Sequence, residues 1–114
     1  MKGIHFIIDF DKLPFKFLNN MDKLEKILER VIKISKTKII SFKKHKFKPQ
    51  GLTGIYLLSE SHLSFHTWPE LGSISIDLYT CGDLEAGDKS IEYLIKKLSS
   101  ISNEASYKLK KIAR

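Results

Sequence analysis

The stretch ESHLSFHTWPE, residues 60 to 70, and the run DLYTCGD from Asp77 to Asp83 hold the side chains best suited to covalent or proton-transfer chemistry. Ser61 offers a hydroxyl, His62 and His66 offer imidazoles, and Cys81 is the only thiol in the chain. A serine hydroxyl is a weak nucleophile at neutral pH, so attack on a carbonyl demands a positioned geometry and stabilisation of the developing oxyanion. A strained turn at residues 59 to 62 would supply the geometry. Imidazole is suited to accept a proton near neutrality, and a thiol donates one more readily than a hydroxyl does. His62 and His66 also have the i, i+4 spacing of a helical zinc pair. Thr67, Trp68 and Pro69 argue against a helix there, and no carboxylate follows in the usual place, so no metal site is expected.

At 114 residues the chain has the size of one domain, 1–114. Its 42% hydrophobic and 29% charged content suits a folded globular protein. The apolar N-terminal stretch is interrupted by Asp9 and Asp11, and no apolar run approaches the roughly 18 residues of a membrane span. The expected location is cytoplasmic, with no membrane partner. A single cysteine excludes an intramolecular disulfide. The net charge of +7 would suit a nucleic-acid partner, but nearly all the basic residues are lysines and the chain is also rich in isoleucine. A general lysine and isoleucine bias explains the charge equally well.

The elements that must position these groups follow from periodicity. Ile4, Phe6, Ile8 and Phe10 alternate with polar residues and predict a first strand over 3–10. Leu24, Ile27, Leu28, Val31 and Ile32 recur at helical spacing behind Asn20, predicting a helix over 21–36. Residues 38–47 read as a second strand whose lysines discourage edge pairing, and 53–59 as a third. A four-residue break at Ser59 to His62 precedes a fourth strand ending at Pro69, with Phe65 and Trp68 expected in the core. Residues 73–81 alternate Ile74, Ile76, Leu78 and Thr80 against Ser75, Asp77, Tyr79 and Cys81, so Cys81 shares a polar face with Asp77. A second helix is expected behind Asp88, and a last basic strand over 105–112. This order predicts an α+β two-layer sandwich, an antiparallel sheet with two helices on one face. The other face needs a cover. A second copy is the simplest, giving a dimer of four layers.

On these motifs, and on the run KFKPQGLTG from Lys46 to Gly54 and the early IIDF strand, the chain resembles the prokaryotic S-adenosylmethionine decarboxylase proenzymes. The likeness spans nearly the whole chain. It implies a serinolysis at Glu60–Ser61 that splits the chain into residues 1–60 and 61–114 and converts Ser61 into a covalent pyruvoyl cofactor. By the same resemblance His66 is the proton acceptor in processing and Cys81 the proton donor in decarboxylation, with Thr53 assisting processing. Glu70 and Phe47 are the substrate contacts it implies, a carboxylate for the ribose diol and an aromatic for adenine or the sulfonium. A pyruvoyl ketone forms an imine with the substrate amine and accepts the electrons released with carbon dioxide, so no dissociable cofactor is needed. The implied product feeds spermidine synthesis. DFDKLPF stands where many relatives carry a cysteine-containing tripeptide, and GDLEAGDKS lacks a proline often found there.

Two rivals bracket this reading. One keeps the machinery and changes the amine to arginine or ornithine. The other is a small basic RNA-binding module, for which Tyr107 among Lys108, Lys110 and Lys111 is the only hint.

Overall fold

Two-residue periodicity dominates the chain. A computed structural model describes residues 2–114. Strands β1 (Ile4–Asp11), β2 (Ile39–Lys46), β3 (Leu52–Leu58), β4 (Ser61–Trp68), β5 (Ser73–Thr80) and β6 (Ser106–Ala113) form one sheet in the order β2-β3-β4-β5-β1-β6. Every pairing is antiparallel. Helices α2 (Met21–Ile34) and α3 (Leu84–Ser99) lie on one face, so the expected α+β arrangement holds. Phe6, Ile8, Phe10, Leu63, Phe65, Ile74, Ile76 and Leu78 point to that face and are buried against Leu24, Leu28, Val31, Leu94 and Leu98 of the helices. Among the described residues no helix is long and apolar enough to cross a membrane.

Three local expectations change. A single turn, α1 (Phe15–Leu18), follows Pro14 and buries Phe17 and Leu18, where no element was expected. The second long helix starts at Leu84, not behind Asp88, because the Asp83 carboxylate caps it by accepting from the Ala86 amide at 2.9 Å. Gly87 lies inside this helix. A Cβ there would stand 3.0 Å from the Thr80 methyl, so glycine is what lets the helix settle on the sheet. Finally, β4 starts at Ser61, and only Ser59 and Glu60 make the turn, with Glu60 at φ 63. A left-handed non-glycine residue is costly, so the turn carries the strain anticipated for it.

The sheet face away from the helices presents His5, Ile7, Ile55, Leu57, His62, Ser64, His66, Ser75, Asp77 and Tyr79. Ile55 and Leu57 are 48% and 52% exposed, an apolar patch that one protomer leaves uncovered.

The Asp83 cap carries a pH signature. The Ala86 amide, first, and Lys36 at 3.3 Å hold its carboxyl below the usual carboxylate range. Stabilisation by a depressed carboxylate is present above the unfolded pKa of about 3.9 and is lost as pH falls through the folded value. Asp83→Ala therefore lowers the thermal midpoint at pH 7, and the gap from the parent chain narrows below about pH 4. Melting curves across pH check this, with Asp83→Asn expected to keep the cap and lose the pH dependence.

Candidate active site

The site is built on β4, which lies between β3 and β5. Leu58 pairs with Ser61 across the β3–β4 turn, so the Glu60–Ser61 bond sits at the very start of β4. The β4–β5 register pairs His62 with Tyr79, which brings the end of β5 beside this bond. Cys81, one residue past β5, places its thiol 3.2 Å from the Glu60 carbonyl oxygen, to which it donates. The Ser61 side chain points to the helix layer and is 7% exposed, and its Oγ has no hydrogen-bond partner among the described residues. Thr80 Oγ1 is likewise buried and unpartnered. A buried hydroxyl without a partner costs about 1–3 kcal/mol, so this pair is a departure from ordinary packing.

Neighbours that sequence reasoning missed gather along the end of β5 and its partner strand β1. His5 Nε2 lies 3.0 Å from Asp77 Oδ1 across β1 and β5. The Arg114 guanidinium lies 5.0 Å from the Tyr79 ring centre. Hydrogen bonding with the Cys81 side chain, foremost, raises the pKa of the Tyr79 phenol. Gly3 is required here: a Cβ would stand 2.5 Å from the Thr80 carbonyl oxygen and 3.2 Å from Cys81 Sγ. The signal for these contacts was the polar face of the fifth strand, but their partner strand, β1, is remote in sequence.

The remaining candidates gather at the opposite end of the sheet. A cavity of about 370 Å³ is lined by Phe47, Gln50, Gly51, Thr53, His66, Thr67, Trp68 and Glu70. Thr53 pairs with His66 across β3 and β4, and its hydroxyl lies 2.9 Å from His66 Nδ1, fixing the ring. The buried Thr67 hydroxyl accepts from the Leu52 amide at 2.9 Å, and Asn19 Oδ1 accepts from the Gly51 amide at 3.1 Å. These bonds hold the loop that carries Phe47 against the sheet. Glu70 lies on a short 3-10 turn, Pro69–Leu71, after β4. Trp68 is 39% exposed on the cavity wall, not in the core as expected, because even-numbered β4 residues face away from the helices, whereas Phe65 is fully buried. Among the described residues no cluster of three or more metal-ligating side chains occurs.

One protomer thus separates the candidates into two groups, Glu60, Ser61 and Cys81 against Phe47, Thr53, His66 and Glu70. Ser61 and His66 are five strand residues apart, roughly 16 Å, and on opposite faces.

The family model of S-adenosylmethionine decarboxylase matches residues 4–114. The chain belongs to this family. It is 43% identical over 100 residues to the S-adenosylmethionine decarboxylase proenzyme of Thermoplasma volcanium, covering 88% of this chain and 77% of that protein. Identity to the proenzyme of Thermoplasma acidophilum is 41% over 88% of this chain and 76% of that protein. The crystal structure of the adenosylmethionine decarboxylase from Aquifex aeolicus superposes with a TM-score of 0.80 at 29% identity, covering 96% of this chain and 88% of that one. Membership accounts for the resemblance of the motifs at residues 60–70 and 77–83.

In this family member the fixed His66 ring makes a simple spectroscopic prediction. Thr53→Val removes the partner of Nδ1, so the ring nitrogen shifts in NMR should move from those of one dominant tautomer toward an averaged pair. Unchanged shifts would mean that Thr53 does not hold the ring.

Proposed function

We propose that the chain is the self-cleaving precursor of a pyruvoyl-dependent decarboxylase that acts on S-adenosylmethionine and supplies the aminopropyl donor of spermidine synthesis. The observation that carries this reading is the Glu60–Ser61 bond itself. It sits in a left-handed turn, its carbonyl oxygen accepts from the Cys81 thiol, and the Ser61 hydroxyl beside it is buried with no other partner. A donor at the carbonyl oxygen is what a developing oxyanion needs.

In the proposed cleavage Ser61 Oγ adds to the Glu60 carbonyl carbon. The C–N bond breaks as the nitrogen takes the proton, leaving Glu60 esterified to Ser61 Oγ with a free amino group on residue 61. A base removes the Ser61 α-proton, the Glu60 carboxylate departs, and water replaces the nitrogen, which leaves as ammonia. Residues 1–60 and 61–114 separate, and the second begins with the pyruvoyl ketone. The unpartnered Ser61 oxygen and the adjacent thiol fit the formation of that group.

His66 is the proposed base, yet it is roughly 16 Å from Ser61 in its own protomer. A homodimer resolves this. Two sheets packed by their open faces about a two-fold axis that crosses the strands would exchange the ends of β4, so that the Glu60–Ser61 backbone and Cys81 of one protomer face Thr53 and His66 of its partner. The exposed Ile55 and Leu57 supply apolar surface for the contact.

When present, the ketone supplies an electron sink for decarboxylation of an amino acid. Cys81 Sγ then donates the proton that replaces carbon dioxide. Phe47 and Trp68 offer faces for adenine, and Glu70 offers two acceptor oxygens to a ribose diol. An aromatic cavity with one carboxylate favours a nucleoside substrate over arginine or ornithine. Tyr107, the only hint of an RNA-binding reading, stacks on Phe10 at 5.2 Å and stays half-exposed.

Intact masses of the purified wild type and Ser61→Ala test the reading. Two fragments of 60 and 54 residues from the wild type alone, the latter with a pyruvoyl terminus, are expected. An intact wild-type chain after long incubation would contradict it.

A further inference from the structure

Thr80 lies near the scissile bond with a buried hydroxyl that takes no part in the cleavage steps above. It is 1% exposed, and its Oγ1 has no hydrogen-bond partner among the described residues. Valine has the same shape and would avoid the cost of an unpaired hydroxyl in this place. The γ-methyl faces Gly87 of α3, where an added Cβ would come within 3.0 Å of it. Because a β-branched side chain is stiff at χ1, that packing also fixes where the hydroxyl points.

The position opposite Thr80 decides what it points toward. The β4–β5 register runs through Leu63↔Leu78 and His62↔Tyr79, and its next step sets Thr80 across from Ser61. Opposed residues in an antiparallel pair hold their Cβ atoms about 4.5–5.5 Å apart. Both side chains are buried, and both hydroxyls are unpaired. The two orphans are therefore neighbours.

We propose that Thr80 is a positioning residue for self-cleavage, its hydroxyl accepting the hydrogen bond of Ser61 Oγ when Ser61 turns onto the Glu60 carbonyl. With the Ser61 proton held by Thr80, a lone pair is left to face the carbonyl carbon. Cys81 holds the oxygen of the same carbonyl at 3.2 Å. Consecutive residues at the end of β5 thus grip the two reacting groups of one peptide bond, Thr80 the nucleophile and Cys81 the electrophile. The role rests on the self-cleavage reading above and adds a residue to it.

Thr80→Val and Thr80→Ser separate this role from packing. The full chain is made by cell-free translation with a labelled amino acid, and the appearance of the 60- and 54-residue fragments is followed with time, alongside melting curves of each purified variant. Thr80→Val is expected to cleave at least tenfold more slowly while melting at or above the wild-type temperature. Thr80→Ser, which keeps the hydroxyl, should cleave within a few-fold of wild type. Cleavage of Thr80→Val at the wild-type rate would overturn the proposal and leave the self-cleavage reading standing, as would equal slowing of both variants. A wild-type chain that never cleaves would instead remove the self-cleavage reading, and Thr80's role with it.

Discussion

The register of β4 between β3 and β5 is the constraint on which the rest of the site depends. Pairing Leu58 with Ser61 places the Glu60–Ser61 bond in a two-residue turn, and pairing His62 with Tyr79 carries Cys81 to the Glu60 carbonyl. A slip of one residue would turn every β4 side chain to the other face, taking Ser61 out of the core and Phe65 into solvent. Phe65, fully buried, therefore does more than fill space. Its burial fixes the parity of the strand, and with it the placement of a serine four residues earlier.

The same parity separates Ser61 from His66. An odd separation of five residues puts them on opposite faces, and the strand rise puts them at opposite ends. Each group is well ordered where it stands, by the Cys81–Glu60 contact at one end and by the Thr53–His66, Thr67–Leu52 and Asn19–Gly51 bonds at the other. The proposed dimer would bring the two groups together from different sheets. The uncovered Ile55 and Leu57 lie between the two groups, on the face where that meeting would occur.

Much of this was legible in the sequence, for reasons that can be named. The alternation from Ser73 to Thr80 gave both faces of β5, and the helical spacing from Leu24 to Ile32 gave α2 with its Asn20 cap. The start of α3 was not legible, because Gly87 and Asp88 carry loop chemistry, whereas the cap is Asp83 and Gly87 serves close packing. Trp68 was expected in the core from its bulk, although its even number already placed it with His66 on the open face. The candidate residues were named from the motif, but their division into two groups was not. That division was implicit in the numbering of Ser61 and His66 and required only that β4 be a single unbroken strand. The His5–Asp77 contact and the unpaired Thr80 depend on strands brought together from distant parts of the chain, and no local pattern announces them.

In the proposed dimer one protomer's Ser61 is processed by its partner's His66. Co-expression of Ser61→Ala chains with His66→Ala chains, each carrying a distinct tag, tests it most directly. Neither variant should cleave alone. In the mixed dimer one site regains both residues, so the His66→Ala chain, and only that chain, should cleave after Glu60. Absence of cleavage in mixed dimers that form normally, or efficient cleavage of His66→Ala alone, would contradict the account.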